Sequence, residues 1–388
     1  MDADPFAVTI EALRARRGVK WAYYDPDVIN AWVADMDFPP APCVRDALVA
    51  AIDRGDLLYY GIRIGEVVLA WRSWQERHHG WRPEPERVMV FDDVIGTMRG
   101  ALLTWCRDGR DGAVVQTPVY PPFLFAVADT PARLVENPLV DHGGGRWAPD
   151  IDDLRSVVDD STRILLLCNP QNPTGRVFTR AELGDIAALA VERDLLVVVD
   201  EIWADLVYPP AEHVPFATLG DDVAERTITL SSSSKAFNLG GMRCAVAHFG
   251  SAELQREFTT TARPYLGESN ALAIEATLAA WKHGESWLDE LRPRLLTNRD
   301  HVVEVLAREL PDAVTTRPEA TYLSWIDFSS YGLASAADHL LAHGRVALSA
   351  GSDFAARCGA FARLNFATTP EILDEVLERV VSGARTGS

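Results

Sequence analysis

The pattern of apolar runs constrains this chain more than any other feature. Short β-branched or apolar runs recur at residues 87–91, 113–116, 164–167, 195–199 and 227–230, with another near 244–249. Helical patterns lie between them, including 95–106 and 180–193. A run that is apolar on both faces is satisfied only inside a sheet covered on each side, and helices between successive strands make that sheet mainly parallel. The fold class is therefore α/β. Thr179, with Glu182 three residues later, predicts a capping box at the start of the 180–193 helix.

Outside this block the pattern changes. The first forty residues hold Trp21, Tyr23, Tyr24, Trp32 and Phe38 among prolines and read as irregular. Amphipathic helices are predicted at 42–54 and 65–79. From about 284 the pattern turns to long helices, and strand-like stretches at 321–328 and 360–366 complete a smaller α+β unit. The division predicted is an N-terminal segment 1–45, a large domain 46–285 and a small C-terminal domain 286–388.

Charge excludes several classes. The 388 residues carry 37 basic and 56 acidic side chains, a formal net charge of −19. That surface does not suit phosphate backbones or an anionic membrane. No apolar run is long enough to span a bilayer, and the acidic start is followed by no apolar h-region, so a soluble cytoplasmic protein is expected. Cys43, Cys106, Cys168, Cys244 and Cys358 are widely spaced with no CxxC pair, which indicates small buried hydrophobes rather than a metal site or disulfide framework. Only Lys20, Lys235 and Lys282 are lysines, so chemistry that needs an amine has three candidates.

In an open parallel sheet, ligands bind beyond the carboxyl ends of the strands, and four unusual sequences fall there. Cys168-Asn169-Pro170-Gln171-Asn172-Pro173-Thr174-Gly175 is either a tight connection or a rigid turn that leaves the Asn172 amide free for a ligand. The acids Asp200 and Glu201 end an apolar run, as an exposed loop start or as a buried partner for a cationic group. Ser231 to Ser234 lead into Lys235 and, further on, Arg243. Hydroxyls, amides and positive charge there suit a phosphate better than a flexible serine linker does. Arg363 sits inside an apolar run, as a rim ion-pair residue or as a ligand group.

Taken together, these motifs resemble the fold type I pyridoxal-phosphate (PLP) enzymes of the class I/II aminotransferase superfamily. Trp32-Val33-Ala34-Asp35-Met36-Asp37-Phe38, Pro118-Val119-Tyr120-Pro121-Pro122-Phe123, Asp200 to Leu206 and Lys235-Ala236-Phe237-Asn238-Leu239 resemble its MalY/PatB subgroup of cystathionine β-lyase-like C–S lyases. The resemblance implies a mainly parallel seven-stranded sheet and a homodimer with shared active sites, the N-terminal segment packing on the small domain and on the partner. It implies that Lys235 forms the imine with the cofactor and then moves the proton at Cα, with Asp200 on the ring nitrogen, Asn172 on the ring 3-oxygen and Tyr120 on the ring face. Ser232, Ser234, Arg243 and the amides of Val94 and Ile95 would hold the phosphate, joined by Tyr60 of the neighbouring subunit. Trp203 would stand beside the cofactor. Arg363 would grip the substrate carboxylate, near Ala34, Tyr120 and Asn172.

Three departures stand out. Asp93 occupies a position where the family has glycine, and Trp203 one where it has histidine or tyrosine. Ala350-Gly351-Ser352-Asp353-Phe354 replaces a Pro-Gly turn. The reaction implied is β-elimination from a cysteine S-conjugate or cystathionine-like thioether to a thiol, pyruvate and ammonia, in specialised metabolism if the substrate is bulky. Transamination and decarboxylation-coupled oxidative deamination are the alternatives within the superfamily. A PLP-fold regulatory protein is the alternative outside enzymes. Such regulators carry an N-terminal DNA-binding domain, whereas here the resemblance begins by about residue 20 and the chain is acidic, so an enzyme is expected.

Overall fold

The computed structural model describes residues 4–386. Seven strands form the central sheet: β1 Val88–Phe91, β2 Gly112–Thr117, β3 Arg133–Pro138, β4 Thr162–Cys168, β5 Leu196–Asp200, β6 Thr227–Ser231 and β7 Ala245–Phe249. Their order is β1-β7-β6-β5-β4-β2-β3. Every pairing is parallel except those of β7, which runs antiparallel to β1 and β6. Strands β2, β5, β6 and β7 are buried at every position, as two-sided apolar runs require.

One face of the sheet packs Phe91, Met98, Leu102, Phe123 and Phe258, and the other packs Leu183, Ile186, Leu189 and Phe216. The helix Arg180–Glu192 begins with the expected capping box. The Thr179 hydroxyl accepts from the Glu182 amide at 3.2 Å, and the Glu182 carboxylate accepts from the Thr179 amide at 2.6 Å. Strand β3 was not anticipated. As an edge strand it exposes Arg133, Leu134 and Glu136, so it lacks the apolar continuity of the inner strands.

Past the sheet, the helix Glu285–Glu309 carries Pro293 in its interior. A four-stranded antiparallel sheet then forms from Val314–Thr315, Leu323–Asp327, Phe361–Asn365 and Ser349–Ala350. The N-terminal residues contain two short helices, Ile10–Arg14 and Val19–Ala22, where the sequence reads as irregular. Ile29–Asn30 pairs with Val346–Ala347. Buried Lys20 lies 2.9 Å from the Asp37 carboxylate, which also accepts from Trp21 Nε1 at 2.7 Å. That ion pair fastens the 32–38 segment to the helix Val19–Ala22. Gly175, at φ +70°, marks another junction. A Cβ there would lie 2.5 Å from Pro318 Cβ, and its carbonyl accepts from the Glu319 and Ala320 amides.

Candidate active site

Strands β2, β4, β5 and β6 end at the same edge of the sheet, and the segments that follow them deliver Tyr120, Asn172, Asp200 and Ser232 into one cleft of about 350 Å³. Val94, Ile95, Trp203, Ser234, Lys235 and Arg243 line the same cleft. A contiguous groove on the far side of Tyr120 and Lys235 brings in Ala34 and Arg363. All the predicted residues but Tyr60 therefore converge. Tyr60 faces a separate groove with Leu57, Leu58, Tyr59 and Ile64.

At the centre, the Lys235 amine donates to the Ala34 carbonyl at 3.1 Å and stands 5.5 Å from the centroid of the Trp203 ring. Burial pulls its pKa below the ordinary lysine value, against the pull of Asp35 and Asp200 in the other direction. Burial thus favours the neutral, nucleophilic form of this amine relative to one in water. Asp200, the last residue of β5, is pushed up to about 7 by burial, with the Ile202 amide and Lys235 opposing the rise. A cation reaching it would restore the charged form. Glu201 is committed elsewhere: its carboxylate accepts from the Phe216 amide at 2.8 Å and lies 3.3 Å from His213. Of the two adjacent acids, Asp200 is thus the one that serves the cleft.

One end of the cleft is built for an anion. The helix Val94–Trp105 points its N-terminus inward, and the amides of Val94 and Ile95 donate to no protein acceptor among the described residues. Such an end attracts a phosphate through free N–H groups and the helix dipole. Asp93 is the N-cap, accepting from the Gly96 amide at 2.5 Å, and its other oxygen forms an ion pair with Arg243. Asp93 thereby caps the helix and holds the arginine expected to meet the phosphate. Ser232 lines the same cleft and is also tied into the turn. Its hydroxyl donates to the Cys244 carbonyl at 2.6 Å and accepts from the Ser234 amide at 3.1 Å, which makes it a brace for the turn. Ser234 is the more open hydroxyl.

At the other end, Arg363 is 4% exposed. Its Nη1 donates to Asn172 Oδ1 at 2.9 Å, and Nη2 donates to the Trp32 carbonyl and to Ser349 Oγ, both at 3.1 Å. Because Asn172 accepts through its oxygen, its amide nitrogen is left to donate into the cleft. The Arg363 Nε is buried with no partner, an arrangement that awaits an acceptor. Burial pushes this guanidinium down to about 10.

Several positioning residues carry no chemical signature in the sequence. Tyr322 donates its hydroxyl to the Ala34 carbonyl at 2.8 Å and packs edge-on against Trp203. Asn238 clamps Met36 by two 2.9 Å bonds, and Asn365 donates to the Val33 and Asp35 carbonyls at 2.7 Å. The Lys-Ala-Phe-Asn motif was the one available signal, and it pointed to Asn238. Cys168 and Cys244 line the cleft, and burial raises the pKa of both thiols, as it pushes Cys106 up to about 12 and Cys358 to about 11.

Residues 26–380 match the family described as aminotransferase class I and II. The chain belongs to that family. It is 34% identical to the cystathionine β-lyase PatB of Bacillus subtilis, over 91% of this chain and 92% of that protein. The crystal structure of cystalysin from Treponema denticola, which contains a pyridoxal 5'-phosphate cofactor, superposes with a TM-score of 0.93 at 26% identity over 100% of both chains. That of the PLP-bound C–S lyase from Staphylococcus hominis does so at 0.87 and 28%, over 98% of this chain and 99% of that one. These relatives place the chain in the MalY/PatB-type branch of the family. The cleft fits the family's cofactor on its own chemistry. Open amides, Ser234 and Arg243 would suit a phosphate, the Asn172 amide a ring oxygen, Asp200 a protonated ring nitrogen, Tyr120 a flat face and Lys235 an aldehyde, and all of them line this cleft.

Proposed function

We propose that this family member is a PLP-dependent carbon–sulfur β-lyase that converts a cysteine thioether and water into a thiol, pyruvate and ammonia. The observation that carries the reading is the placement of a buried, pKa-depressed Lys235 amine between the anion-binding end of the cleft and Arg363. The cofactor, when bound, supplies an electron sink conjugated to the substrate Cα. Arg363 holds the α-carboxylate in a fork, which orients Cα–H toward Lys235. Lys235 takes that proton, and the Cα–H electrons form a Cα–Cβ double bond as the C–S bond breaks. The sulfur leaves with its electron pair and takes up a proton as the free thiol, and water hydrolyses the remaining unsaturated amine to pyruvate and ammonia. Asp200 fixes charge at the far edge of the ring site. Trp203 cannot titrate near neutrality, so it shapes and dries the site rather than relaying protons.

The same reading includes a homodimer. Leu58 is 74% exposed and Ile62 95%, and Tyr59 is fully exposed beside Tyr60. A second copy covering this patch would bring Tyr60 to its neighbour's phosphate end. Five unpaired thiols, four of them buried, suit a reducing cytoplasm. The test is purified protein with a panel of S-alkyl cysteines, assayed for thiol, pyruvate, ammonia and CO2. Equal release of thiol and pyruvate supports the lyase. A requirement for added keto acid would turn the reading to transamination, and CO2 release to oxidative decarboxylation. Lys235→Ala abolishes thiol release and the visible absorbance of the bound cofactor; retention of that absorbance refutes the assignment.

A further inference from the structure

The groove that leads to Arg363 has a wall and a rim unlike the rest of the cleft. Tyr23, Tyr24 and Trp32 form a mutual cluster with ring centroids 4.9 to 5.6 Å apart. Trp32 is anchored to the machinery below it, because its indole donates to the Lys20 carbonyl at 3.2 Å and its own carbonyl accepts from Arg363 and Ser349. Asp338 and Asp353 stand exposed at the mouth. Neither has a basic partner among the described residues, and both raise the Tyr24 phenol pKa after burial and Tyr23. Among the described residues, the only cations lining the groove are Lys235 and Arg363 at its floor, the latter with its buried Nε unpartnered. The floor therefore takes one carboxylate, the substrate's own. A second anionic group reaching outward would meet two carboxylates and three aromatic faces.

We propose that this groove selects cysteine thioethers whose sulfur substituent ends in a positively charged amine, held by the aromatic wall and the Asp338/Asp353 rim, over those ending in a carboxylate. Aromatic faces attract cations, and each exposed carboxylate adds a modest attraction. This rests on the lyase reading of the same site. Three probes of similar size separate the two claims: S-(2-aminoethyl)-L-cysteine, S-propyl-L-cysteine and S-(carboxymethyl)-L-cysteine. Expected kcat/KM values fall in that order, with roughly tenfold or more between the first and last. The ratio shrinks toward unity in about 1 M salt, where screening reaches only ~3 Å, and in Asp338→Asn/Asp353→Asn. A carboxymethyl substrate that equals or exceeds the aminoethyl one overturns the proposal while the lyase stands. So does a ratio that survives both salt and the double substitution. Absence of thiol and pyruvate from all three probes overturns the lyase reading itself, and the proposal with it.

Discussion

Asp93 should weaken cofactor binding, and removing its charge should tighten it. The side chain caps the helix Val94–Trp105 and pairs with Arg243, with side chains 25% and 58% exposed. Asp93→Asn is the clean perturbation, since asparagine caps a helix as well as aspartate does and only the charge is lost. The scale of the effect follows from taking a phosphate oxygen on the open side of the Arg243 guanidinium as about 6 Å from the carboxylate. At that range each unit of phosphate charge meets about 0.7 kcal/mol of repulsion in water and about 2.8 kcal/mol at an effective dielectric of 20. The exposure of the pair selects the lower figure. With one and a half to two charges on the phosphate, the variant gains about 1–1.4 kcal/mol, or roughly five- to tenfold in affinity. The assay strips the cofactor, titrates pyridoxal phosphate back into both proteins and follows visible absorbance and tryptophan quenching, with unphosphorylated pyridoxal as the control. Equal or weaker binding by the variant refutes the electrostatic argument. So does an equal gain for pyridoxal, because the effect must pass through the phosphate.

Asp200→Asn should alter stability with pH in cofactor-free protein. The folded carboxyl titrates near 7, above the ~3.9 of an unfolded aspartate, so the folded chain holds a proton that the unfolded chain releases between these values. The stability this group contributes is full at low pH and is lost as pH rises through that window. Above it, urea midpoints should favour the variant by on the order of a few kcal/mol, and parallel pH profiles would sink the assignment. Arg363→Lys keeps a charge but breaks the fork to Asn172, Trp32 and Ser349. It should cost about 2–3 kcal/mol in kcat/KM, with a raised KM in steady-state assays as the mark of lost carboxylate binding. Thr179→Ala removes one half of the capping box and should lower stability by about 1 kcal/mol, read by thermal melting with activity unchanged.

The inner strands were legible because burial on both faces leaves a continuous apolar signature, and the site was legible because it follows those strands in order. Strand β3 escaped because an edge strand alternates, and its buried Asn137 pairs with Gln116 rather than joining an apolar run. Tyr322 escaped because nothing local distinguishes a tyrosine that anchors a carbonyl 288 residues away from one that fills a core. The resemblance put Ser232 at the phosphate, and nothing in the local sequence shows that its hydroxyl also donates to the Cys244 carbonyl twelve residues on.

Scarcity of lysine turned out to be the most informative part of the composition once packing was added. Lys20 is held by Asp37 at 2.9 Å, buried and paired, as a strut for the N-terminal segment. Lys282 pairs with Glu66 at 3.1 Å on the surface. Lys235 alone forms no ion pair among the described residues and rests its amine on a backbone carbonyl. An ammonium held by a carboxylate is stabilised in its charged form; the Lys235 amine rests on a carbonyl and an indole face, and burial outweighs the pull of the nearby but unpaired Asp35 and Asp200. The two other lysines are disqualified by their partners, and Lys235 is poised by lacking one.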